Sequence, residues 1–155
     1  MAALDDDRLT AVGLFLEAHD GLSNALERAL DADCGLSRQW FEILLRLARS
    51  PQHSLRMCDL AAQTGLSPSG LTRAIDRLEA VGLVRRRSCP SDRRVAYAEL
   101  TADGFKRIES AAEIHLGHID EHFIAHLSPE ELHQLERITR KLRDQLRPDA
   151  DLVTG

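Results

Sequence analysis

The chain has 155 residues, of which 43% are hydrophobic, 29% charged and 4% aromatic. This composition excludes an intrinsically disordered chain, and the length suits one domain with its own hydrophobic core. The net charge of −5 disfavours a protein that is basic throughout, and the absence of any run of about 18 apolar residues excludes a membrane-spanning helix.

The first part of the chain is predicted to be helical. Residues 1–8 lack the basic start and apolar core of a secretory signal, so we expect a cytoplasmic location. Residues 6–31 carry leucine and valine at helical spacing, and residues 33–35 break that pattern. Ser37 can cap a second helix over Arg38–Arg49. A short strand is expected at residues 54–57.

The next stretch has the pattern of a helix-turn-helix motif. A short helix is predicted over residues 57–63, and Gly65 supplies the positive φ that the following turn requires. Ser67 and Pro68 form a strong start for the second helix, because the hydroxyl caps it and proline suits its first position. Helical spacing predicts that this second helix buries Leu71, Ala74, Ile75 and Leu78. It leaves facing outward Ser69, Gly70, Thr72, Arg73, Asp76 and Arg77.

A β-hairpin and two helices are predicted after this motif. Two strands are expected over residues 83–87 and 95–100. Two helices are expected over residues 102–126 and 129–147, the second of which Pro148 ends. The strands are joined by a turn at residues 89–92. Ser128 and Glu131 have the spacing of a capping box, which marks the start of the last helix.

Positive charge is concentrated in one part of the chain. Residues 73–94 contain seven arginines and three acidic residues, whereas residues 1–35 contain two basic and eight acidic residues. Residues 95–155 are also acidic, with twelve acidic and seven basic side chains. A basic segment within an acidic chain is the electrostatic footprint of a nucleic-acid-binding surface. We therefore predict that the helix-turn-helix and the hairpin bind double-stranded DNA.

Several short motifs stand in register along the chain. They are Asp59-Leu60-Ala61, Leu66-Ser67-Pro68-Ser69, Asp76-Arg77-Leu78-Glu79, Gly82-Leu83-Val84, Asp92-Arg93-Arg94 and Leu100-Thr101-x-x-Gly104. With these motifs in this order, the chain resembles the MarR family of bacterial winged helix-turn-helix transcriptional regulators. The resemblance covers nearly the whole chain.

The resemblance implies a mainly α-helical fold with a small β-wing. It implies one domain over residues 1–155, with a winged helix-turn-helix lobe at 36–100 and dimerisation helices at 5–35 and 101–147. The implied function is that of a homodimeric repressor, which binds a pseudo-palindromic DNA operator and is released by a small aromatic or anionic ligand. We also expect no cofactor, no membrane contact and no enzymatic activity.

The predicted DNA contacts lie on the second helix of the motif and on the wing. The helix should enter the major groove, and the wing should reach the minor groove, whose negative potential favours arginine. Arg94 matches the family arginine that enters the minor groove, and we expect Asp92 to orient an arginine. The full predicted set is Ser67, Ser69, Gly70, Thr72, Arg73, Arg77, Arg86, Arg87, Asp92, Arg93 and Arg94.

Ligand or metal sensing would need a second site. The ligand crevice implied by the resemblance lies between the first, second and fifth helices, where the candidate residues are His19, Arg38, Trp40 and Phe41. A zinc-sensing alternative uses His118 and His122, which are spaced to share one zinc ion, with His19 or Glu17 as the third ligand.

Two further alternatives rest on single signatures. His118, Glu121 and His122 fit the His-x-x-Glu-His pattern of zinc peptidases, although a peptidase also needs a third ligand and a cleft that holds a peptide. Cys89 lies close to wing arginines that favour its thiolate, so it is the candidate for oxidant sensing. Cys58, on the first helix of the motif, is expected to be packed.

Overall fold

The structure, a computed structural model, describes residues 5–89 and 95–147. Its elements follow in the order α1 (Asp7–Cys34), α2 (Arg38–Arg49), a 3₁₀ turn (Pro51–His53), β1 (Ser54–Arg56), α3 (Met57–Thr64), α4 (Pro68–Ala80), β2 (Val84–Ser88), β3 (Ala96–Leu100), α5 (Ala102–His122), a second 3₁₀ turn (Ile124–His126) and α6 (Pro129–Leu146). The predicted fold, mainly α-helical with a small β-wing, is confirmed.

Side-chain caps begin the helices where the sequence predicts them. The Ser37 hydroxyl accepts a hydrogen bond from the backbone N–H of Trp40 at 3.2 Å, and Ser67 caps α4 in the same way. Ser128 and Glu131 form the predicted capping box at the start of α6. These hydroxyls satisfy N–H groups that have no partner within their own helix, which is why the helices begin there.

The three strands form one antiparallel sheet in the order β1-β3-β2. Leu55 of β1 pairs with Ala98 of β3, and Val84 of β2 pairs with Leu100. The side chains of Val84, Ala98 and Leu100 are buried, so the hairpin is attached to the helical core. The predicted hairpin turn includes residues 90–92, which lie outside the described residues.

The core lies between α2, α3, α4, the sheet and parts of α1 and α5. Its largest fully buried apolar side chains are Leu30, Leu36, Ile43, Leu44, Leu47, Leu60, Leu71, Ile75, Leu78, Val84 and Ile108. Burial of one such side chain stabilises a fold by about 1.5–3 kcal/mol. This core therefore sets the position of α4 and of the root of the wing.

The N-terminal half of α1 and the whole of α6 stand outside this core. No residue of α6 is buried. Large apolar side chains are exposed on both helices, namely Leu9, Val12, Leu14, Phe15, Leu16, Ile138, Leu142 and Leu146. Within residues 5–89 and 95–147, no helix is both long and apolar enough to cross a membrane.

Two predicted helix ends are wrong. α1 continues past residue 31 to Cys34, whose carbonyl accepts a hydrogen bond from the guanidinium of Arg107, and Gly35 then closes the helix at φ 59°. This contact from α5 holds the last turn of α1. α5 ends at His122 rather than at residue 126, because the backbone of Phe123 leaves the helical conformation at φ −134°.

Candidate nucleic-acid interface

The turn between α3 and α4 has the geometry of a helix-turn-helix. Gly65 closes α3 with φ +68°, a left-handed conformation that glycine adopts without steric cost. The N–H of Leu66 donates to the carbonyl of Ala61 at 3.1 Å, which turns the chain towards α4. Ala61 is buried, and its small side chain lets the two helices approach closely.

α4 has one buried and one exposed face, as predicted. Leu71, Ala74, Ile75 and Leu78 are all buried. The side chains of Ser69, Thr72, Arg73 and Arg77 are exposed on the other face, with Gly70 half-buried. Within the described chain, the side chains of Arg73 and Arg77 make no hydrogen bond or ion pair. Their guanidinium groups are therefore available to a ligand without breaking an internal contact.

Ser67 already has a structural role. Its Oγ accepts the N–H of Gly70 at 3.1 Å and lies 3.3 Å from Oγ of Ser69. Ser67 therefore fixes the first turn of α4, and Ser69 is the hydroxyl that projects from that turn.

Arg86 of β2 is bound to α4. Its guanidinium donates to the carboxylate of Asp76 and, at 3.0 Å, to the backbone carbonyl of Thr72. Its backbone N–H also donates to Oε1 of Glu79 at 2.9 Å. Several contacts thus join the wing strand to α4 at this residue. We name Asp76, Glu79 and Arg86 the wing latch.

The other two β2 arginines face β3. Arg85 donates to Glu99 at 2.7 Å, and Nε of Arg87 lies 3.5 Å from the other carboxylate oxygen of Glu99. The hydrogen bond from Arg85 holds the pKa of the Glu99 carboxyl below its usual value. Arg87 also lies over the ring of Tyr97, with 4.9 Å between its Cζ and the ring centroid. The predicted wing residues Asp92, Arg93 and Arg94 lie outside the described residues.

Arg56 belongs to this surface, although the sequence did not indicate it. It precedes α3 and lines a groove of about 300 Å³ together with Thr72 of α4 and Val95 of the wing. Its Nε lies 3.4 Å from the hydroxyl of Tyr97, which raises the pKa of Arg56. The sequence feature that could have indicated Arg56 is its position directly before the first helix of the helix-turn-helix motif.

Three of the four predicted ligand-binding residues surround one cavity. His19, Arg38 and Phe41 line a space of about 260 Å³ between α1, α2 and α5, where His115 also contributes. The guanidinium of Arg38 has no hydrogen bond or ion pair within the described chain. Trp40 does not line this cavity and packs against the core instead.

The two predicted zinc ligands do not converge. His118 is buried, and its Nε2 lies 2.8 Å from the carboxylate of Asp33, whereas His122 lines a separate cavity beside His19. Across residues 5–89 and 95–147, no three His, Cys, Asp or Glu side chains form a group that could hold a metal ion. The zinc and peptidase alternatives therefore lack a ligand set in this part of the chain.

The cysteines lie in three different environments. Cys58 is exposed on the first turn of α3, so the prediction that it is packed is wrong. Cys58 lies in the first turn of a short helix, and its side chain lines the same groove as Arg56. Cys34 is buried, and burial raises the pKa of its thiol. Cys89 is half-buried, and its N–H donates to the carbonyl of Val95 at 2.9 Å.

His115 gives the fold a predicted pH dependence. Burial, and then the charge of His118, lower the pKa of His115 from its usual value of 6.5. Just below pH 6.5, His115 therefore binds more protons in the unfolded chain than in the folded chain. The contribution of neutral His115 to the free energy of unfolding is thus fully present above pH 6.5 and decreases as the pH falls.

We expect urea unfolding between about pH 7.5 and 5 to show this decrease, and His115→Gln to remove part of it. His133→Gln, on the exposed surface of α6, is the matched control and should keep the wild-type slope. Equal slopes for His115→Gln and the wild type would contradict this assignment.

Comparison with known proteins gives consistent matches. A family model described as "MarR family" matches residues 35–95. The transcriptional repressor MprA of Escherichia coli (strain K12) is 32% identical over 112 residues, which are 72% of this chain and 63% of the repressor. The match therefore spans less than two thirds of that relative's length.

Two solved structures are similar over almost the whole chain. The MarR family transcriptional regulator Sco3205 from Streptomyces coelicolor, solved in complex with DNA, has 34% identity and a TM-score of 0.86, and the match covers 95% of this chain and 92% of that one. AbsC, a MarR family transcriptional regulator from the same organism, has 36% identity and a TM-score of 0.85, with coverages of 92% and 96%.

Proposed function

This chain belongs to the MarR family of transcriptional regulators, and we propose that it represses transcription as a homodimer bound to a pseudo-palindromic operator. In this proposal α4 lies in the major groove of double-stranded DNA and the wing reaches the minor groove. A small aromatic or anionic ligand releases the dimer from the operator.

The observation that carries this proposal is the outward face of α4. Ser69, Thr72 and Arg73 are exposed in the N-terminal half of a helix whose opposite face is fully buried. In a helix-turn-helix, the residues near this end of the second helix contact base edges. An exposed arginine can bind the O6 and N7 atoms of guanine, and backbone amides and further arginines can bind phosphates.

The exposed apolar side chains of α1 and α6 support the homodimer. They lie on the N-terminal half of α1 and on α6, which contribute little to the core of a single chain, and burial of such side chains between two copies would be favourable. A cavity of about 490 Å³ lies between these helices and α5, and Phe15, Leu22, Phe123 and Leu135 line it. We infer that a second copy of the chain packs against this apolar surface.

Two copies of α4 at a fixed separation account for the expected operator. A twofold dimer that reads two major grooves on one side of the duplex requires half-sites about 34 Å apart, one helical turn. Phosphate contacts by the wing and by Arg56 should make the affinity fall steeply with salt concentration.

The cavity around Arg38 supports release by a ligand. It lies between α2 of the lobe and helices α1 and α5, so a molecule bound there contacts both parts. A negative group would bind the unpaired guanidinium of Arg38, and an aromatic ring would lie beside Phe41 and His115. Such a ligand can act only to the extent that it binds more tightly to a dimer whose two α4 helices are wrongly spaced.

A substitution in the wing latch tests the proposed function, because its two effects on operator affinity have opposite directions. Asp76→Ala removes a negative charge from the face that meets DNA, which by itself should increase affinity. It also removes the carboxylate that holds the Arg86 guanidinium against α4, which within the described chain leaves only the bonds to Thr72 and Glu79. We expect this second effect to dominate and to weaken operator binding about tenfold, a typical size for a residue that acts on binding without contacting the ligand. The exposed ion pair should contribute at most about 1 kcal/mol to stability.

The measurement is fluorescence anisotropy on a duplex that the wild-type protein selects from a random pool. Glu109→Ala, which removes an exposed acidic charge from α5, is the control and should bind like the wild type. Tighter binding by Asp76→Ala would show that the latch does not position the wing. Failure of the wild type to select any duplex would overturn the proposed function itself.

A further inference from the structure

The C-terminal end of α6 reaches the helix-turn-helix of the same chain. Nη2 of Arg147, the residue that follows α6, donates to the backbone carbonyl of Ala62 at 3.2 Å. Ala62 lies in the last turn of α3, and its carbonyl also accepts the N–H of Gly65 at 3.3 Å. The contact joins residues 85 positions apart in the sequence.

The position of the guanidinium suits its charge and the local shape. Carbonyl groups at a helix C-terminus carry partial negative charge and lack partners within the helix, so a cation there is favourable. The guanidinium also lies against Gly65, where an added Cβ would come within 3.1 Å of Nη2 and 3.5 Å of Cζ of Arg147. Gly65 thus provides both the left-handed turn and the space that Arg147 occupies.

This contact connects two parts of the molecule with different roles. α6 has no buried residue, and its apolar side chains lie on the proposed dimer surface. The turn at Gly65 instead determines how α3 and α4 are held together. A hydrogen bond between Arg147 and Ala62 therefore links the position of the dimerisation helix to the position of the helix-turn-helix.

We propose that Arg147 is a positioning residue for operator binding, because its bond to Ala62 fixes the distance of each helix-turn-helix from the dimer surface. The separation of the two α4 helices then depends on this residue, although Arg147 itself does not contact base edges. The inference rests on the proposed function, since half-site spacing has meaning only for a dimer that binds DNA.

The first test measures spacing preference. Wild type, Arg147→Ala and Arg147→Lys are titrated onto the selected operator, onto versions with one base pair added or removed between the half-sites, and onto a scrambled duplex. We expect Arg147→Ala to bind the operator of preferred spacing with affinity lower by about fivefold or more, the lower end of typical couplings between sites. The variant should also discriminate less between the spacings, and its affinity for the scrambled duplex should not change. Arg147→Lys keeps the charge and should recover part of the preference.

Arg140→Ala is the matched control, because Arg140 is an exposed arginine on the same helix that pairs within it, with Glu136 at 2.6 Å. It should behave like the wild type. Unchanged affinity and spacing preference in Arg147→Ala would overturn the proposal. An equal loss on every duplex would also overturn it, because that result identifies Arg147 as a general phosphate contact.

A second measurement does not require DNA. Amide hydrogen exchange at residues 64–66 should be faster in Arg147→Ala than in the wild type or Arg140→Ala, because the last turn of α3 loses its cap. Equal exchange in all three proteins would overturn the contact on which the proposal depends. If the wild type selects no duplex but exchange still responds to Arg147→Ala, then the proposed function fails while the link between α6 and α3 stands.

Discussion

Gly104→Ala should lower the free energy of unfolding by about 3 kcal/mol, the upper part of the usual range for overpacking a core. Gly104 is buried in the first turn of α5. A Cβ there would lie far inside van der Waals contact with the backbone carbonyl oxygen of Leu83, and 2.8 Å from Cδ1 of Leu100. The first turn of α5 is thus packed directly on the backbone that leads into β2.

The neighbouring backbone cannot easily move to relieve this clash. The Leu83 carbonyl accepts the N–H of Thr101 at 3.1 Å, and the Thr101 hydroxyl donates to the carbonyl of Gly82 at 2.7 Å. Thr101 also caps α5 through the N–H of Gly104 at 3.0 Å. Displacement of Leu83 would therefore break contacts that hold the root of the wing to α5.

Urea unfolding followed by circular dichroism gives the measurement, and the same helix offers a control. Nothing in the described chain lies within 4 Å of a Cβ added at Gly117. Gly117→Ala should therefore raise stability by about 0.4–1 kcal/mol, since alanine restricts the unfolded chain and favours the helix. A Gly104→Ala variant as stable as the wild type would show that Gly104 does not pack closely against the Leu83 carbonyl.

Arg73→Ala should weaken binding to the selected operator about 5- to 150-fold, which corresponds to the roughly 1–3 kcal/mol of one arginine–guanine contact. The side chain is exposed near the start of α4 and has no hydrogen bond or ion pair within the described chain. Its removal should therefore leave folding unchanged, so the loss of affinity reports a contact with DNA.

The salt dependence separates a base contact from a phosphate contact. If Arg73 binds a base, Arg73→Ala should relax the preference at one position in each half-site while the slope of affinity against salt stays the same. Arg137→Ala, an exposed arginine on α6, controls for the loss of positive charge. A uniform loss on all duplexes with a shallower salt slope would assign Arg73 to a phosphate instead.

Local features of the molecule could be predicted from the sequence. The starts of α2, α4 and α6 follow from serine caps at Ser37, Ser67 and Ser128, because capping involves residues only three positions apart. The buried face of α4 follows from helical periodicity alone. The same periodicity continues through Phe123, which is why the predicted end of α5 lies beyond the observed one.

Contacts between distant segments were not predictable in this way. No local pattern indicates that the guanidinium of Arg86 binds Asp76, ten positions away on another element. Likewise, the pair of Asp33 and His118 joins residues 85 positions apart, and no local pattern indicates it. These contacts depend on how the helices and strands pack against one another. The spacing of apolar residues predicts which face of a helix is buried, but it specifies this arrangement only in part.

The central claim is that two copies of α4 read a duplex one helical turn apart. Hydroxyl-radical footprinting of the purified protein on its selected duplex tests this most directly. We predict two protected segments related by twofold symmetry, with centres about 34 Å apart, at a stoichiometry of two chains per duplex. Failure to select any duplex, or a single protected segment with one chain bound, would contradict the account.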